Sequence, residues 1–220
     1  MPATFDHPTG GNAVVNVAGI DIGGAHKGYH LVVLRGRHIV CSVQSRDPQD
    51  LVRQCHALDV QAIGIDAPCR WRAGYSGRSA ERELARERIS CFSTPTRQNA
   101  LESRSGFYGW MFNGERAYEA LAATHPLLDD PAYPGGKVCF ETFPHAITCA
   151  LLGTGNVSAK QKNTQRRQLL INHGIDAHSL SSIDAVDAAL CALTANYLSS
   201  GRIRAYGESA SGYIIVPTVA

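Results

Sequence analysis

Short apolar runs alternate with amphipathic stretches along the chain, which is the pattern of an α/β fold. The first run, Ala13 to Gly24, has strand length and delivers Asp21 to its end, followed by two glycines. Gly28 to Leu34 reads as a return strand and, after a turn at Arg35-Gly36-Arg37, His38 to Val43 reads as a third. The fold therefore starts as an antiparallel meander. Asp47-Pro48 marks a helix start, with Asp47 as N-cap, Pro48 at the first helical position, and Leu51, Val52, Cys55 and Leu58 as the buried stripe. Ala62 to Pro68 is apolar on both faces, as a central parallel strand covered by helices requires, and it ends in Asp66.

Farther on, Cys91 to Gly136 is the least regular part, with a helix expected from about Asn113 to Ala123 and a Pro131, Pro134, Gly135, Gly136 cluster at its close. Val138 to Pro144 is again strand-like and presents Glu141 before a helix that runs to Gly153. Ser181 to Tyr197 is a strong helix, with Val186, Leu190, Leu193 and Tyr197 as its buried stripe. These elements predict one α/β domain over 13–220, with a mixed central sheet, an insertion at about 91–136 and a short flexible tail over 1–12.

Composition narrows this picture only modestly. A chain of 220 residues can bury a sizeable core but is short for two full lobes, and a net charge of +2 imposes no global field. The seven cysteines are odd in number and form no C-x-x-C pair, which fits reduced thiols in a cytoplasmic protein rather than a disulfide or zinc framework. Neither a signal-peptide pattern nor an apolar run of membrane-spanning length occurs, so no membrane partner is expected.

The candidate chemistry lies in the acids. Asp21, Asp66 and Glu141 each end a strand, and Asp184 and Asp187 share a face of the last helix. Each has a structural reading: a turn or helix cap for the strand-end acids, and for Asp184 a capping box with Ser181. Asp187 has none, because it sits among alanines at the border of the buried side, where a carboxylate needs a cation or a hydrogen-bond network. Five acids converging on one edge would repel one another unless divalent metal neutralised them, and hard oxygen ligands select Mg²⁺ or Mn²⁺. A pair of such ions can activate water and stabilise the leaving oxygen of a phosphodiester.

Basic residues supply the second candidate set. Arg78, Arg82 and Arg86 align on one helical face that suits a phosphate backbone, although interleaved glutamates make a solvated, salt-bridged surface the commoner reading. The segment Ser158 to Leu170, with Lys160, Lys162, Arg166 and Arg167, is the best local candidate for phosphate contact. Aromatic residues Phe107 to Phe112 beside arginines could stack on bases, or could anchor the insertion to the core. The histidines, including His26, His30 and His145, show no ligand spacing and read as surface or core residues.

Taken in order, Gly19-Ile20-Asp21, Gly64-Ile65-Asp66-Ala67-Pro68, Arg78 to Arg82, Phe140-Glu141-Thr142-Phe143-Pro144, Asp184-Ala185-Val186-Asp187-Ala188 and Gly212 to Pro217 resemble the domain-of-unknown-function 429 family. More distantly, Asp21, Asp66 and the Asp184, Asp187 pair resemble the four-acid site of RuvC-type resolvases. The resemblance implies an RNase H-like fold with helices on both faces of the sheet. It also implies a nuclease acting on DNA or RNA, with Asp21, Asp66, Asp184 and Asp187 as metal ligands, Glu141 as an additional ligand or base, and Arg78 and Arg82 near the substrate. Gly23 to Tyr29 departs from the Cys- and Trp-containing segment usual in the family, which bears on substrate choice.

Two other classes stay open from the sequence. Sugar kinases and actin-like ATPases also begin with a strand and D-x-G-G, and Lys27 would then contact phosphate, but they need two lobes to enclose ATP. A non-catalytic binding module would use the acids only as caps. P-loop, Rossmann, hydrolase-elbow and zincin motifs are absent, and a homodimer is left open.

Overall fold

β1 (Asn16–Ile22), β2 (Tyr29–Arg35) and β3 (His38–Ser45) form the expected antiparallel meander in a computed structural model that describes residues 14–24, 26–133 and 135–219. The tail expected over 1–12 lies outside the described residues. The turn after Asp21 closes through a 2.7 Å bond from Gly23 N–H to Gly28 O, with Gly28 at a φ of 69° that few other residues adopt. β4 (Val60–Asp66) and β5 (Val138–Glu141) extend the sheet parallel to β1. β7 (Gly212–Pro217) continues it in parallel, and β6 (Ile203–Glu208) pairs antiparallel at the edge, giving the order β3-β2-β1-β4-β5-β7-β6.

Helices cover both faces. α1 (Pro48–Ala57) starts as its sequence predicts, with the Asp47 side chain accepting from Gln49 N–H and Leu51 and Cys55 buried. α2 (Ser79–Arg86), the short α3 (Arg97–Glu102) and α4 (Gly109–Leu121) lie between β4 and β5. α5 (Pro144–Leu152), α6 (Lys162–Asn172) and α7 (Ile183–Ser199) follow β5. Leu51, Cys55, Ala117 and Leu121 of α1 and α4 pack on Ile20, Ile63 and Ile65, whereas α5, α6 and α7 bury Val17, Val32, Leu34, Ala62 and Phe140 on the other face. This is the architecture expected from the sequence: a mixed sheet with an antiparallel start between two helical layers.

α7 is more deeply set than its four-residue stripe implies, since thirteen of its 17 residues are buried. It packs directly across β1, β2 and β4. The approach is made possible by Gly19 and Gly64, which are register partners in β1 and β4. A Cβ at Gly19 would lie 1.9 Å from Ala188 O, and one at Gly64 would lie 2.6 Å from Cys191 O. Helix backbone thus rests on sheet backbone, and alanines at 185, 188, 189, 192 and 195 supply the matching low profile.

α4 starts at Gly109, four residues before the expected boundary, because the aromatic segment itself is helical. Its rings pack with one another and the core side, Trp71 on Phe112 at 5.0 Å and Phe92 on Trp110 at 5.9 Å between centroids. α3 and β6 had no periodic signal long enough to announce them. All seven cysteines are free thiols, and among the described residues no helix is long and apolar enough to cross a membrane.

Candidate metal centre

Register and the two-residue period of strands decide which acids can meet. Asp21 pairs with Asp66 across β1 and β4, and with His30 across β1 and β2. Val17, Gly19 and Asp21 face α7, as do Ala62, Gly64 and Asp66 on β4 and His30, Val32 and Leu34 on β2. Because the two glycines let α7 down onto this face, its first turns bring Asp184 and Asp187 to the same place.

One carboxylate oxygen of Asp21, one of Asp184 and a ring nitrogen of His30 lie within 4.8 Å of one another. Asp21, His30 and Asp187 are buried, and Asp66 and Asp184 are half-buried. Three cations surround the acids: Arg166 Nη1 lies 2.6 Å from both Asp187 oxygens, Lys162 Nζ lies 3.3 Å from Asp187 Oδ2, and Lys27 Nζ lies 2.8 Å from Asp184 Oδ2.

Electrostatics follow from this crowding. Burial pushes the Asp21 carboxyl up to about 7, helped by the charges of Asp187 and Asp184 and opposed by Lys162 and Lys27. Desolvation, then Asp21 and Asp187, push Asp66 well above the usual carboxylate range. Burial lowers the pKa of His30, which favours its neutral, ligand-competent form. Its Nδ1 is buried without a hydrogen-bond partner. By contrast, His125 and His173 are tied to backbone carbonyls at 2.9 and 2.8 Å and read as structural.

Several sequence expectations are corrected here. Ser182, not Ser181, is the α7 N-cap, accepting from Ala185 N–H at 3.0 Å, so Asp184 is released from the capping box and pairs with Lys27 instead. Glu141 does not join the other acids. It pairs in register with Ile65, the residue before Asp66, and strand alternation sends its side chain to the opposite face of the sheet. There it accepts from Cys69 N–H at 2.8 Å and from Arg78 at 2.8 and 2.5 Å. Arg78 is therefore not a phosphate contact: it is buried, with its remaining Nε donating to Ser211 O at 2.9 Å. Arg82 stays exposed on α2 and donates to Gly77 O. His30 is the residue that sequence spacing missed, since its place beside Asp21 depends on hairpin register.

Fold and site together define an α/β protein that gathers carboxylates and one imidazole at the carboxyl ends of its central strands. The chain belongs to the family described as Protein of unknown function (DUF429), whose model matches residues 19–211. Among solved structures it is similar to RuvC of Thermus thermophilus, at 16% identity over 85% of this chain and 97% of that one, with a TM-score of 0.45. No curated protein matches the chain.

Proposed function

We propose that the protein is a divalent-metal-dependent nuclease hydrolysing phosphodiester bonds of DNA or RNA. The observation that carries the reading is the convergence of Asp21, His30 and Asp184 within 4.8 Å, with Asp66 and Asp187 alongside. The donor set fits Mg²⁺ or Mn²⁺: hard carboxylates dominate, their mutual repulsion calls for a cation, and the imidazole weights the choice toward Mn²⁺.

Asp21, flanked by Asp66 on one strand and His30 on the other, would hold the metal together with Asp184, with Asp66 and Asp187 close by. Bound there, divalent ions supply an activated water and stabilise the leaving oxygen of an in-line displacement. Arg166 orients the Asp187 carboxylate through both of its oxygens. The more exposed Lys27 and Lys162 stand at the rim, where their charge draws in the phosphate backbone.

Hydrolysis of single-stranded, duplex, hybrid and branched nucleic acids during Mg²⁺ and Mn²⁺ titration tests this reading. Cleavage by the wild type that disappears in Asp21→Asn is expected. Identical behaviour of the two proteins on every substrate would overturn it, and Mg-ATP hydrolysis abolished by Lys27→Ala would favour a phosphotransferase instead.

A further inference from the structure

From Thr142 through Ile175 the chain carries no Asp or Glu, while Lys160, Lys162, Arg166 and Arg167 all fall within that stretch. The α2 surface, with its interleaved glutamates, is the opposite case. Inside the acid-free stretch a cavity of about 180 Å³, measured as space open to the centre of a water molecule, lies between α5, the segment over 157–159 and the start of α6. His145, Thr148, Ser158, Ala159, Lys162 and Arg166 are among its walls, and no lining residue is acidic. Lys162 and Arg166 also contact Asp187, so the cavity and the acid cluster meet across these two side chains.

Arg166 is 7% exposed and spends a single nitrogen, Nη1, on both oxygens of Asp187. Its Nε and Nη2 bond no other group among the described residues, yet neither is shut off from solvent. A guanidinium held by one nitrogen keeps donors for a second anion. Lys162 Nζ has only its 3.3 Å contact with Asp187 Oδ2 and is half exposed. Ser158 Oγ bonds nothing among the described residues, while the Ser158 backbone is fixed by a 2.9 Å bond from its N–H to Gln165 Oε1. Burial, then the charges of Arg166 and Lys162, lower the pKa of His145, as befits an imidazole beside cations that no acid in the cavity offsets. Cationic donors without a wall carboxylate suit a phosphate, and room for on the order of twelve waters takes one phosphate with part of its sugar but not a duplex.

We infer that this cavity binds the phosphate adjacent to the cleaved one on the same nucleic-acid strand, with Arg166 Nε and Nη2, Lys162 Nζ and Ser158 Oγ as its donors. Arg166 then joins the two places: Nη1 orients Asp187, and its other nitrogens hold the strand. By anchoring that neighbour the cavity fixes which linkage is presented to the acids, an inference that rests on the nucleic-acid reading above.

The test is an NMR titration in EDTA, so that nothing is cleaved, with inorganic phosphate and with a thymidine dinucleotide that is unmodified or carries one extra phosphate at its 5′ or 3′ end. Phosphate alone is expected to shift the His145 ring signals and the Ser158 and Ala159 amide signals of the wild type. At least one phosphorylated dinucleotide binds about tenfold more tightly than the unmodified one, and the end that gains tells on which side of the cleaved bond the cavity lies. Ala159→Glu places a carboxylate on an exposed part of the wall and erases that gain. Ser158→Ala reduces it, with thermal melts confirming that both variants fold. Measurable binding with equal affinity for all three dinucleotides, a gain unaltered in both variants, or phosphate shifts that miss the cavity overturns the site and leaves the nuclease reading standing. Failure of the wild type to bind any dinucleotide or a longer single strand overturns both.

Discussion

Arg166 holds both carboxylate oxygens of Asp187 at 2.6 Å in a contact where neither side chain is more than 8% exposed. A buried pair of this kind is weak evidence for stability, but breaking it by removing one partner strands a charge. Arg166→Gln leaves Asp187 with Lys162 alone, and the metal-free protein is expected to lose about 3 kcal/mol. Thermal melts would show a drop in Tm of roughly 10 °C for a chain of this size. On the proposed metal-dependent reading Mn²⁺ would replace the missing positive charge, so added Mn²⁺ is expected to raise the Tm of Arg166→Gln more than that of the wild type. An equal rise in the two proteins would place Asp187 outside the metal centre.

His30 brings nitrogen into a site otherwise made of oxygen donors, and imidazole favours Mn²⁺ over Mg²⁺. Calorimetric titration should find Mn²⁺ bound more tightly than Mg²⁺ by the wild type. His30→Ala is expected to lower Mn²⁺ affinity about tenfold, some 1.4 kcal/mol, with a smaller effect on Mg²⁺. Parallel losses for both ions would make His30 a packing residue.

Asp21 gives the metal-free protein a specific pH dependence. Its carboxyl moves from 3.8 to about 7 on folding, first through burial and then through Asp187 and Asp184. Between those values the folded chain keeps a proton that the unfolded chain has released. The contribution is complete below 3.8 and is lost as pH rises through about 7. Asp66, also raised, acts in the same sense, whereas the lowered pKa of His30 acts oppositely as pH falls below its usual 6.5. Comparison with Asp21→Asn isolates the Asp21 share: in EDTA the wild-type Tm falls relative to the variant across this window. Parallel Tm profiles would contradict the shift.

Gly19→Ala tests how α7 is seated. The added Cβ would meet Ala188 O at 1.9 Å and Ala192 N at 2.2 Å, both backbone atoms that move only with the helix. Overpacking of this type costs about 1–3 kcal/mol, and rigid neighbours place it at the upper end. Urea unfolding should report that loss, and Mn²⁺ affinity should fall as Asp184 and Asp187 are lifted from Asp21. Loss of stability with metal affinity intact would separate helix seating from the site.

Much of the fold was legible because it rests on local signals. The Asp47-Pro48 helix start, the two-sided apolar run into Asp66 and the short turns between β1, β2 and β3 each follow from neighbouring residues. Asp21, Asp66, Asp184 and Asp187 could be singled out because a carboxylate at the end of an apolar strand, or among alanines on a buried helix, needs a reason to be there. Glu141 looked equivalent to them along the chain. Its register with Ile65 sends it to the opposite face, where it neutralises Arg78. His30 looked ordinary, and the antiparallel register of β1 and β2 set it opposite Asp21.

The sequence by itself determined the mixed α/β architecture and the four acids, since periodicity, caps and turn residues act over a few positions. Only the tertiary structure decided which side chains share a face, which cation neutralises which acid, and how closely α7 approaches the sheet. Those depend on strand register, where a shift of one residue reverses every side chain, and on the missing Cβ atoms of Gly19 and Gly64.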